Sequence, residues 1–224
     1  MTIAEAKSFH NGIEFYLPKK GIVISSTRDE KGNLVLEQKN VTRISNKNKE
    51  QRLFAVLLTL LYLVASQFLF PYISVPHFPF FFFLILAWIS IIGYYKVRAY
   101  SLRGQMESKY HAAEHKVLNY MDTHHTVPTS IEELQKMPSI SIRCGSTLLA
   151  VVLVAITLCS ISIILVPFLF FKIVTCLACL ALTFYWWGIG KCDFLQKMVI
   201  KEPTKNELEV AFYGFKSYWE QYNN

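Results

Sequence analysis

Two histidines and a glutamate lie within five residues of one another, in the pentapeptide His111-Ala112-Ala113-Glu114-His115. An α-helix turns by about 100° per residue, so positions 111, 114 and 115 would share one stripe. Two imidazoles one turn apart can chelate a divalent metal, and a neighbouring carboxylate can take a proton from a metal-bound water. The spacing therefore predicts Zn²⁺ or another divalent metal at His111 and His115, with Glu114 as general base.

A zinc site normally has a third protein ligand, and three residues are candidates for it. The order H-x-x-E-H is that of the inverted zincin peptidases, in which a later glutamate completes the site. Glu202 and Glu209 could fill that place, although each could equally support the start of a helix. Cys144 could be a soft thiolate ligand or a plain interfacial cysteine. Three further residues close to the motif are weaker candidates: Asp122, His124 and His125.

Four apolar blocks of roughly 18 to 22 residues, almost without charge, dominate a composition that is 53% hydrophobic. A helix of that length crosses the ~30 Å hydrocarbon core of a bilayer. The connections within each pair are too short for a domain, so the blocks form two hairpins. The blocks are Leu53 to Phe70, Phe78 to Tyr95, Thr147 to Val166, and Phe168 to Ile189. We therefore expect a multi-pass protein with four transmembrane helices.

Lysine and arginine flank the blocks on the sides away from the two hairpin tips. Under the positive-inside rule, the N-terminus, the segment with the histidines and the C-terminus face the cytosol of a cell-membrane protein. The net charge of +7 then suits anionic lipid headgroups, and no nucleic-acid motif is present. The expected partners are the bilayer and a membrane protein complex or a second copy of the chain. Because Lys172 is nearly the only charge in the blocks, an ion path is poorly supported.

The expected fold class is mainly α and integral to the membrane, with a small cytosolic β element at the N-terminus. Strands are predicted at Ile13 to Leu17, Ile22 to Thr27 and Leu34 to Glu37. The predicted segments are the β element (1–46), the first transmembrane hairpin (47–98), a cytosolic helical segment with the H-x-x-E-H motif (99–146), the second hairpin (147–190) and a C-terminal cytosolic helix (191–224).

Apolar periodicity predicts an amphipathic helix from Gln105 to Met121, whose polar stripe carries the motif. Capping-box patterns predict two more cytosolic helices, one after Ser130 and one after Thr204. The aromatic residues of the tail are interpreted as interfacial anchors: Tyr213, Phe215, Tyr218 and Trp219. Cys176 and Cys179 are interpreted as small packing residues of a membrane helix, not as a redox pair.

Several segments resemble, in order, the YqhQ-like family of bacterial integral membrane proteins. Tyr110 to Lys116 resembles its Y-H-G-A-E-H-K signature, Ile142 to Thr147 its H-P-R-C-G-T-S stretch, and Leu195 to Ala211 its L-Q-x-x-T-T-x-E-P and Q-L-E-V-A tail. The resemblance implies the architecture described above and a metal dependence, for a family whose common domain has no assigned function. It places seven residues at motif positions: His111, Glu114, His115, Arg143, Cys144, Glu202 and Glu209.

The chain departs from that family at three places. Ser141 and Ile142 replace a histidine and a proline, Tyr185-Trp186 stands where the family has Tyr-Glu, and a glycine-rich N-terminal opening is replaced by Ala6 to Asn11. Loss of one imidazole and one carboxylate could remove two ligands or catalytic groups. The chain is therefore expected to be a divergent member.

Two functions follow from these observations. The first is a metal-dependent, peptidase-like hydrolase at the cytosolic membrane surface, or a degenerate relative of one. The second is a non-enzymatic membrane scaffold or assembly factor that binds a partner protein or complex at its cytosolic face. The departures at Ser141 and Trp186, the aromatic-rich tail and the small soluble portion favour the second, whereas the motif favours the first.

Overall fold

The computed structural model describes residues 5–17, 20–40, 78–166 and 168–223. The predicted membrane block at Leu53 to Phe70 lies outside the described residues. The described part is mostly helical with an N-terminal antiparallel sheet, which confirms the coarse fold class. Its strands are β1 (Glu5–Ser8), β2 (Gly12–Leu17), β3 (Ile22–Arg28) and β4 (Leu34–Asn40), and its helices are α1 (Phe78–Tyr100), α2 (Leu102–His124), α3 (Ile131–Gln135), α4 (Gly145–Leu165), α5 (Leu169–Gly188), α6 (Phe194–Val199) and α7 (Lys205–Asn223).

The chain divides into two compact units. The first consists of Met1–Ile44, Tyr94–Ser141 and Gln196–Asn224, and the second of Ser45–Gly93 and Ile142–Leu195. The sheet, the motif helix α2 and the tail helix α7 belong to the first unit. Helices α4 and α5 belong to the second unit.

A four-stranded antiparallel sheet in the order β1-β2-β3-β4 forms the base of the first unit. Side chains alternate across a strand, so Ile13, Phe15 and Leu17 of β2 share one face, where all three are buried. The three predicted strands are confirmed. The edge strand β1 was not predicted, because Ala6-Lys7-Ser8 carries no run of β-branched or aromatic residues.

Helices α2 and α7 pack on the sheet and complete one hydrophobic core. Each contributes residues spaced three or four positions apart, as an amphipathic helix requires. The ring of Phe15 packs edge-on against that of Phe215, with centroids 5.8 Å apart. The core residues from the two helices include Tyr110, Ala113, Val117, Leu208, Ala211 and Phe215.

The aromatic residues of the tail belong mainly to this core. Phe215 and Tyr218 are 0% and 3% exposed, and their rings stack with centroids 5.5 Å apart. Trp219 packs partly buried against the same cluster, whereas Tyr213 is exposed. The interpretation as interfacial anchors is therefore wrong for Phe215 and Tyr218. The apolar face of the sheet needs a cover, and these side chains supply it.

Gly214 allows α7 to approach the sheet closely. A Cβ at this position would lie 2.7 Å from the Cβ of Ser26 and 2.9 Å from Cε2 of Phe15. At the same contact, the buried Ser26 hydroxyl donates to the carbonyl of Val210 at 2.7 Å. The absence of a side chain at 214 thus sets the distance between helix and sheet.

The helix starts follow the predicted capping patterns in part. The Glu207 carboxylate accepts hydrogen bonds from the backbone N–H and the hydroxyl of Thr204, at 2.7 and 2.5 Å, so α7 begins as predicted. At the start of α3, Ser130 makes no side-chain capping bond. Glu133 instead accepts from the backbone N–H of Thr129 at 2.8 Å.

The second unit contains a helical hairpin. Helix α4 ends at Leu165 and α5 begins at Leu169, which confirms the predicted pairing of the last two apolar blocks. The Cys159 sulfur lies 3.8 Å from the carbonyl oxygen of Cys176, and the Ser162 hydroxyl lies 3.3 Å from the Cys179 sulfur. These cysteines are unpaired thiols, and their small size allows the two helices to pack closely.

Two helical segments among the described residues are long and apolar enough to cross a membrane, Gly145–Ile163 and Phe170–Gly188. Large apolar side chains of α5 are exposed, for example Phe170 at 71% and Leu177 at 62%. Helix α1 confirms a helix over the second predicted block. The membrane location is supported in this coarse form, and the number of spans stays a prediction.

Candidate metal site

The pentapeptide lies in the middle of α2, a helix with defined ends. The Ser101 hydroxyl accepts a hydrogen bond from the backbone N–H of Gly104 at 3.1 Å, which caps the first turn. The helix ends where His125 adopts a left-handed conformation, with φ of 56°, and donates its N–H to Met121 at 2.8 Å. The helix predicted from Gln105 to Met121 is confirmed and extends beyond both of those ends.

The imidazoles of His111 and His115 lie against each other on one stripe of α2. Their ring centroids are 4.2 Å apart, and a ligand nitrogen of one lies within 4.8 Å of a ligand nitrogen of the other. His115 is 3% exposed, whereas the side chain of His111 is 34% exposed. The pair therefore places two imidazole nitrogens close together, as a two-histidine chelate requires, and His111 is the more exposed of the two.

The imidazole of His111 is held by polar groups of the first unit. Nδ1 lies 2.9 Å from the Ser8 hydroxyl and 3.2 Å from Oε2 of Glu114. An ionised carboxylate only accepts, so the contact with Glu114 places the proton on Nδ1. Metal-binding histidines usually donate their second ring N–H to a carboxylate or carbonyl in this way. The candidate ligand atom of His111 is therefore Nε2.

Glu114 is ionised at neutral pH despite being 5% exposed. Burial by itself raises its pKa. The hydrogen bond with His111, electrostatic attraction to His111 and His115, and a hydrogen bond with Ser8 together outweigh burial and hold the pKa below 4.5. The carboxylate can thus orient His111 and increase the basicity of its ring.

The group formed by Ser8, His111 and Glu114 has the residue types of a serine hydrolase but not its arrangement. In such a relay, the hydroxyl contacts one ring nitrogen and the carboxylate contacts the other. Here both contacts go to Nδ1. This geometry does not activate Ser8 as a nucleophile, and it favours a role for Ser8 in holding the imidazole.

The second imidazole is held by polar groups from two other segments of the first unit. Nδ1 of His115 lies 2.8 Å from the backbone carbonyl of Ser139 and 2.9 Å from Nε2 of Gln196. Gln196 is 2% exposed, and its Oε1 accepts the backbone N–H of Ser141 at 3.2 Å. The candidate ligand atom of His115 is again Nε2, as in His111.

Lys116 holds the segment that supplies the Ser139 carbonyl. Its ammonium group is buried and donates to the carbonyls of Gln135 at 3.0 Å and Met137 at 2.6 Å. It also pairs with Oε2 of Glu202 at 3.2 Å. The hydroxyl of Ser139 donates to the other oxygen of Glu202.

The two predicted glutamate ligands thus have other partners. Burial raises the pKa of Glu202, but its bonds with Ser139 and Lys116 outweigh burial and lower it. Glu209 lies at a different place in the first unit, where its carboxylate pairs with Arg28 at 2.6 Å. The contacts of Glu202 and Glu209 described above are with Ser139, Lys116 and Arg28, and none of them is with His111 or His115.

The remaining candidates are placed as follows. Cys144 belongs to the second unit, where it precedes α4 and its sulfur lies 3.1 Å from the Ser146 hydroxyl. Asp122 lies half-buried in the last turns of α2. The His124 ring packs on Tyr120, with centroids 4.4 Å apart, and His125 closes the helix. Cys144 therefore remains a prediction from the sequence.

Sequence reasoning missed the residues that hold the two imidazoles, namely Ser8, Ser139 and Gln196. Ser8 belongs to the unpredicted strand β1, and Ser139 acts through a backbone carbonyl, which carries no sequence signal. Gln196 did have a signal, because it belongs to the L-Q segment of the tail that resembles the YqhQ-like family. The signal in the sequence is an amide side chain directly after two apolar residues, Phe194 and Leu195.

Comparison with known proteins agrees with an uncharacterised family. No curated protein and no solved structure matches the chain. A family model described as "Protein of unknown function (DUF1385)" matches residues 31–187, well over half of the chain. The match includes the H-x-x-E-H motif and Cys144 but neither Ser8 nor Gln196. The YqhQ-like name is finer than this match and stays a prediction. The chain belongs to the DUF1385 family of proteins of unknown function.

Proposed function

We propose that this protein is a multi-pass protein of the cell membrane that binds a divalent metal, such as Zn²⁺, at its cytosolic face. The metal ligands in the first unit are Nε2 of His111 and Nε2 of His115. The associated chemistry is hydrolysis, with a peptide bond near the membrane surface as the substrate suggested by the motif. The finer YqhQ-like assignment is part of this proposal.

One observation carries the metal proposal. The two imidazoles lie next to each other with ring centroids 4.2 Å apart and planes tilted by 55°, and in each of them Nδ1 contacts polar protein groups. Three of the groups around the two rings can accept a proton from Nδ1: the Ser8 hydroxyl, the Glu114 carboxylate and the Ser139 backbone carbonyl. Helix-borne histidines that only fill a polar surface do not need such partners, whereas metal ligands are regularly oriented by them. The donor set fits Zn²⁺, which prefers imidazole nitrogen.

A bound metal would act as a Lewis acid and would make water a stronger nucleophile at neutral pH. The residues of the chain supply the rest. Glu114 orients His111 through Nδ1 and remains ionised, so it is also available to accept a proton. Its contact with His111 favours the orienting role over the predicted role as general base.

The membrane part of the proposal rests on the second unit and on the charge pattern. Helices α4 and α5 pair through small residues and have exposed apolar side chains, as expected for helices in contact with lipid. Basic residues flank the apolar blocks on the side of the histidine motif. Four spans with both termini in the cytosol are the topology that agrees with both observations.

Elemental analysis of the detergent-purified protein after dialysis against Zn²⁺ tests the proposal. We expect a stoichiometric ion in the wild-type protein and its loss in the His111→Ala, His115→Ala double variant. Glu209→Gln is the matched control, because Glu209 is paired with Arg28, and it should retain the ion. A folded wild-type protein without stoichiometric metal would end the proposal.

The third ligand is tested in the same assay with single variants of two candidates predicted from the sequence, Cys144 and Glu202. Cys144→Ser removes a thiolate, and Glu202→Gln removes a carboxylate while retaining a group that can bond to Ser139. The variant that loses the ion identifies the ligand. If neither loses it, the third ligand is another group or water.

The aromatic tail no longer supports the scaffold function predicted from the sequence, because Phe215 and Tyr218 are core residues and Trp219 packs against the core. Affinity purification from membranes separates the two functions. A stoichiometric complex that survives in the His111→Ala variant would favour the scaffold, and a protein without such a complex that depends on metal would favour the hydrolase.

A further inference from the structure

Gln196 is a buried side chain whose contact with His115 the proposed metal binding leaves unexplained. It lies in α6 and is 2% exposed. Its Oε1 accepts the backbone N–H of Ser141 at 3.2 Å, and its Nε2 lies 2.9 Å from Nδ1 of His115. The bond with Ser141 fixes the orientation of the amide, so the group that faces the imidazole is the NH₂ donor.

The second neighbour of the same ring nitrogen makes the opposite demand. The Ser139 carbonyl lies 2.8 Å from Nδ1 of His115 and can only accept, so this contact needs a proton on Nδ1. The Gln196 amide can only donate from its nitrogen, so its contact needs a lone pair on Nδ1. A neutral imidazole satisfies one of these neighbours at a time.

The two tautomers differ in their ability to bind a metal. With the proton on Nδ1, the lone pair is on Nε2, where the proposed metal ligand is. With the lone pair on Nδ1, the proton occupies Nε2 and blocks it. Ser139 therefore favours the tautomer that binds metal, and Gln196 favours the one that does not.

We propose that Gln196 is a positioning residue that holds His115 in the tautomer with the proton on Nε2 and so weakens metal binding; this inference rests on the proposed metal site. If the Gln196 amide rotated, its oxygen could accept the Nδ1 proton of His115, but the Ser141 N–H would lose this acceptor. The bond with Ser141 therefore keeps the NH₂ group directed at Nδ1. The metal must compete with this arrangement, which makes the ion exchangeable.

The test compares Gln196→Glu and Gln196→Leu with the wild-type protein. A carboxylate at 196 accepts from Ser141 and from Nδ1 of His115 together, so Zn²⁺ affinity should rise about tenfold. Leucine removes the donor, so the affinity should also rise, although loss of the acceptor for the Ser141 N–H should lower the melting temperature. A purely structural role for Gln196 predicts weaker binding in both variants.

Zn²⁺ affinity is measured by competition with a fluorescent chelator at pH 8, in intact detergent-solubilised protein. Leucine adds no charge, so tighter binding in Gln196→Leu separates the tautomer effect from simple attraction between the metal and a new carboxylate. An unchanged or lower affinity in either variant overturns the inference.

A second readout does not depend on metal. Nitrogen-15 NMR of labelled histidines distinguishes the tautomers of metal-free His115, whose signal is identified by its loss in His115→Ala. The population with the proton on Nδ1 should rise from the wild type to both variants, and equal populations in all three overturn the inference. If the tautomers shift as expected but the wild type binds no Zn²⁺, the proposed metal function has failed while the role of Gln196 stands.

Discussion

The hydroxyl of Ser8 lies 2.9 Å from Nδ1 of His111, although 103 positions separate the two residues in the chain. Ser8 ends β1, the edge strand of the sheet, and His111 lies in α2, which packs against that sheet. The N-terminal sheet therefore does more than bury apolar surface. It supplies a side chain that holds one of the two proposed metal ligands.

Replacement of Ser8 by alanine is expected to weaken Zn²⁺ binding about tenfold, the usual cost of losing a partner of a ligating histidine. The fold should persist, because Ser8 is at the end of a strand and is not part of the apolar core. Ser26→Ala is the matched control. It removes a buried hydroxyl bonded to Val210 and should lower the melting temperature without changing metal affinity. Equal metal affinities of Ser8→Ala and the wild type would contradict the assigned role of Ser8.

The parts that sequence could predict are those specified by local periodicity. Helix α2, the tail helix α7 with its Thr204 and Glu207 start, and the α4–α5 hairpin all follow from patterns within a few turns. The shared stripe of His111, Glu114 and His115 follows from helix geometry alone. These predictions needed no knowledge of which segments pack together.

The parts that sequence could not predict depend on contacts between distant segments. Ser8 and Gln196 reach the histidines only after distant segments of the first unit have packed. Ser8 does not stand out by type, and the L-Q resemblance that marks Gln196 does not indicate that it reaches His115. The same applies to Phe215 and Tyr218, whose burial depends on a sheet face far away in sequence. Aromatic residues in a basic tail fit a membrane interface equally well until that face is known.

Gly214→Ala should destabilise the first unit by about 1 to 3 kcal/mol, because a Cβ would overlap Ser26 and Phe15. Helix propensity alone would predict the reverse, a gain of roughly 1 kcal/mol for alanine over glycine. The melting temperature in detergent decides between the two. Gly93→Ala in α1 is the control, since none of the described residues lies within 4 Å of a Cβ there. A melting temperature for Gly214→Ala at or above that of the control would contradict the close helix–sheet contact.

Glu133 should make the stability of the first unit dependent on pH. Bonds from the backbone N–H and hydroxyl of Thr129 and from the hydroxyl of Tyr120 lower the pKa of Glu133 below 4.5. A lowered pKa in the folded state adds stability above pH 4.5, which is lost as the pH falls through the folded pKa.

Melting temperatures of wild-type and Glu133→Gln protein, measured from pH 7 to pH 3, test this dependence. The wild type should be more stable at pH 7, and the difference should shrink below pH 4.5. Tyr120→Phe removes one of the three donors and should make the pH-dependent part smaller. A difference that stays constant over the whole range would show that the carboxylate charge has no role.

Lys116→Met is expected to lower the stability of the first unit by about 2 kcal/mol, because a buried charged donor is lost from two carbonyls. The methionine retains the apolar stem, so the loss reports the ammonium group. Since the released carbonyls belong to the segment that carries Ser139, amide hydrogen exchange from Met137 to Ser141 should accelerate. Zn²⁺ affinity should fall as well, through the contact between Ser139 and His115.

Glu202→Gln separates these effects from the ion pair between Lys116 and Glu202. Glu202 has a side-chain exposure of 71%, so loss of its charge should cost less than about 1 kcal/mol. Equal destabilisation in the two variants would mean that the ion pair, and not the bonds to the carbonyls, holds the segment.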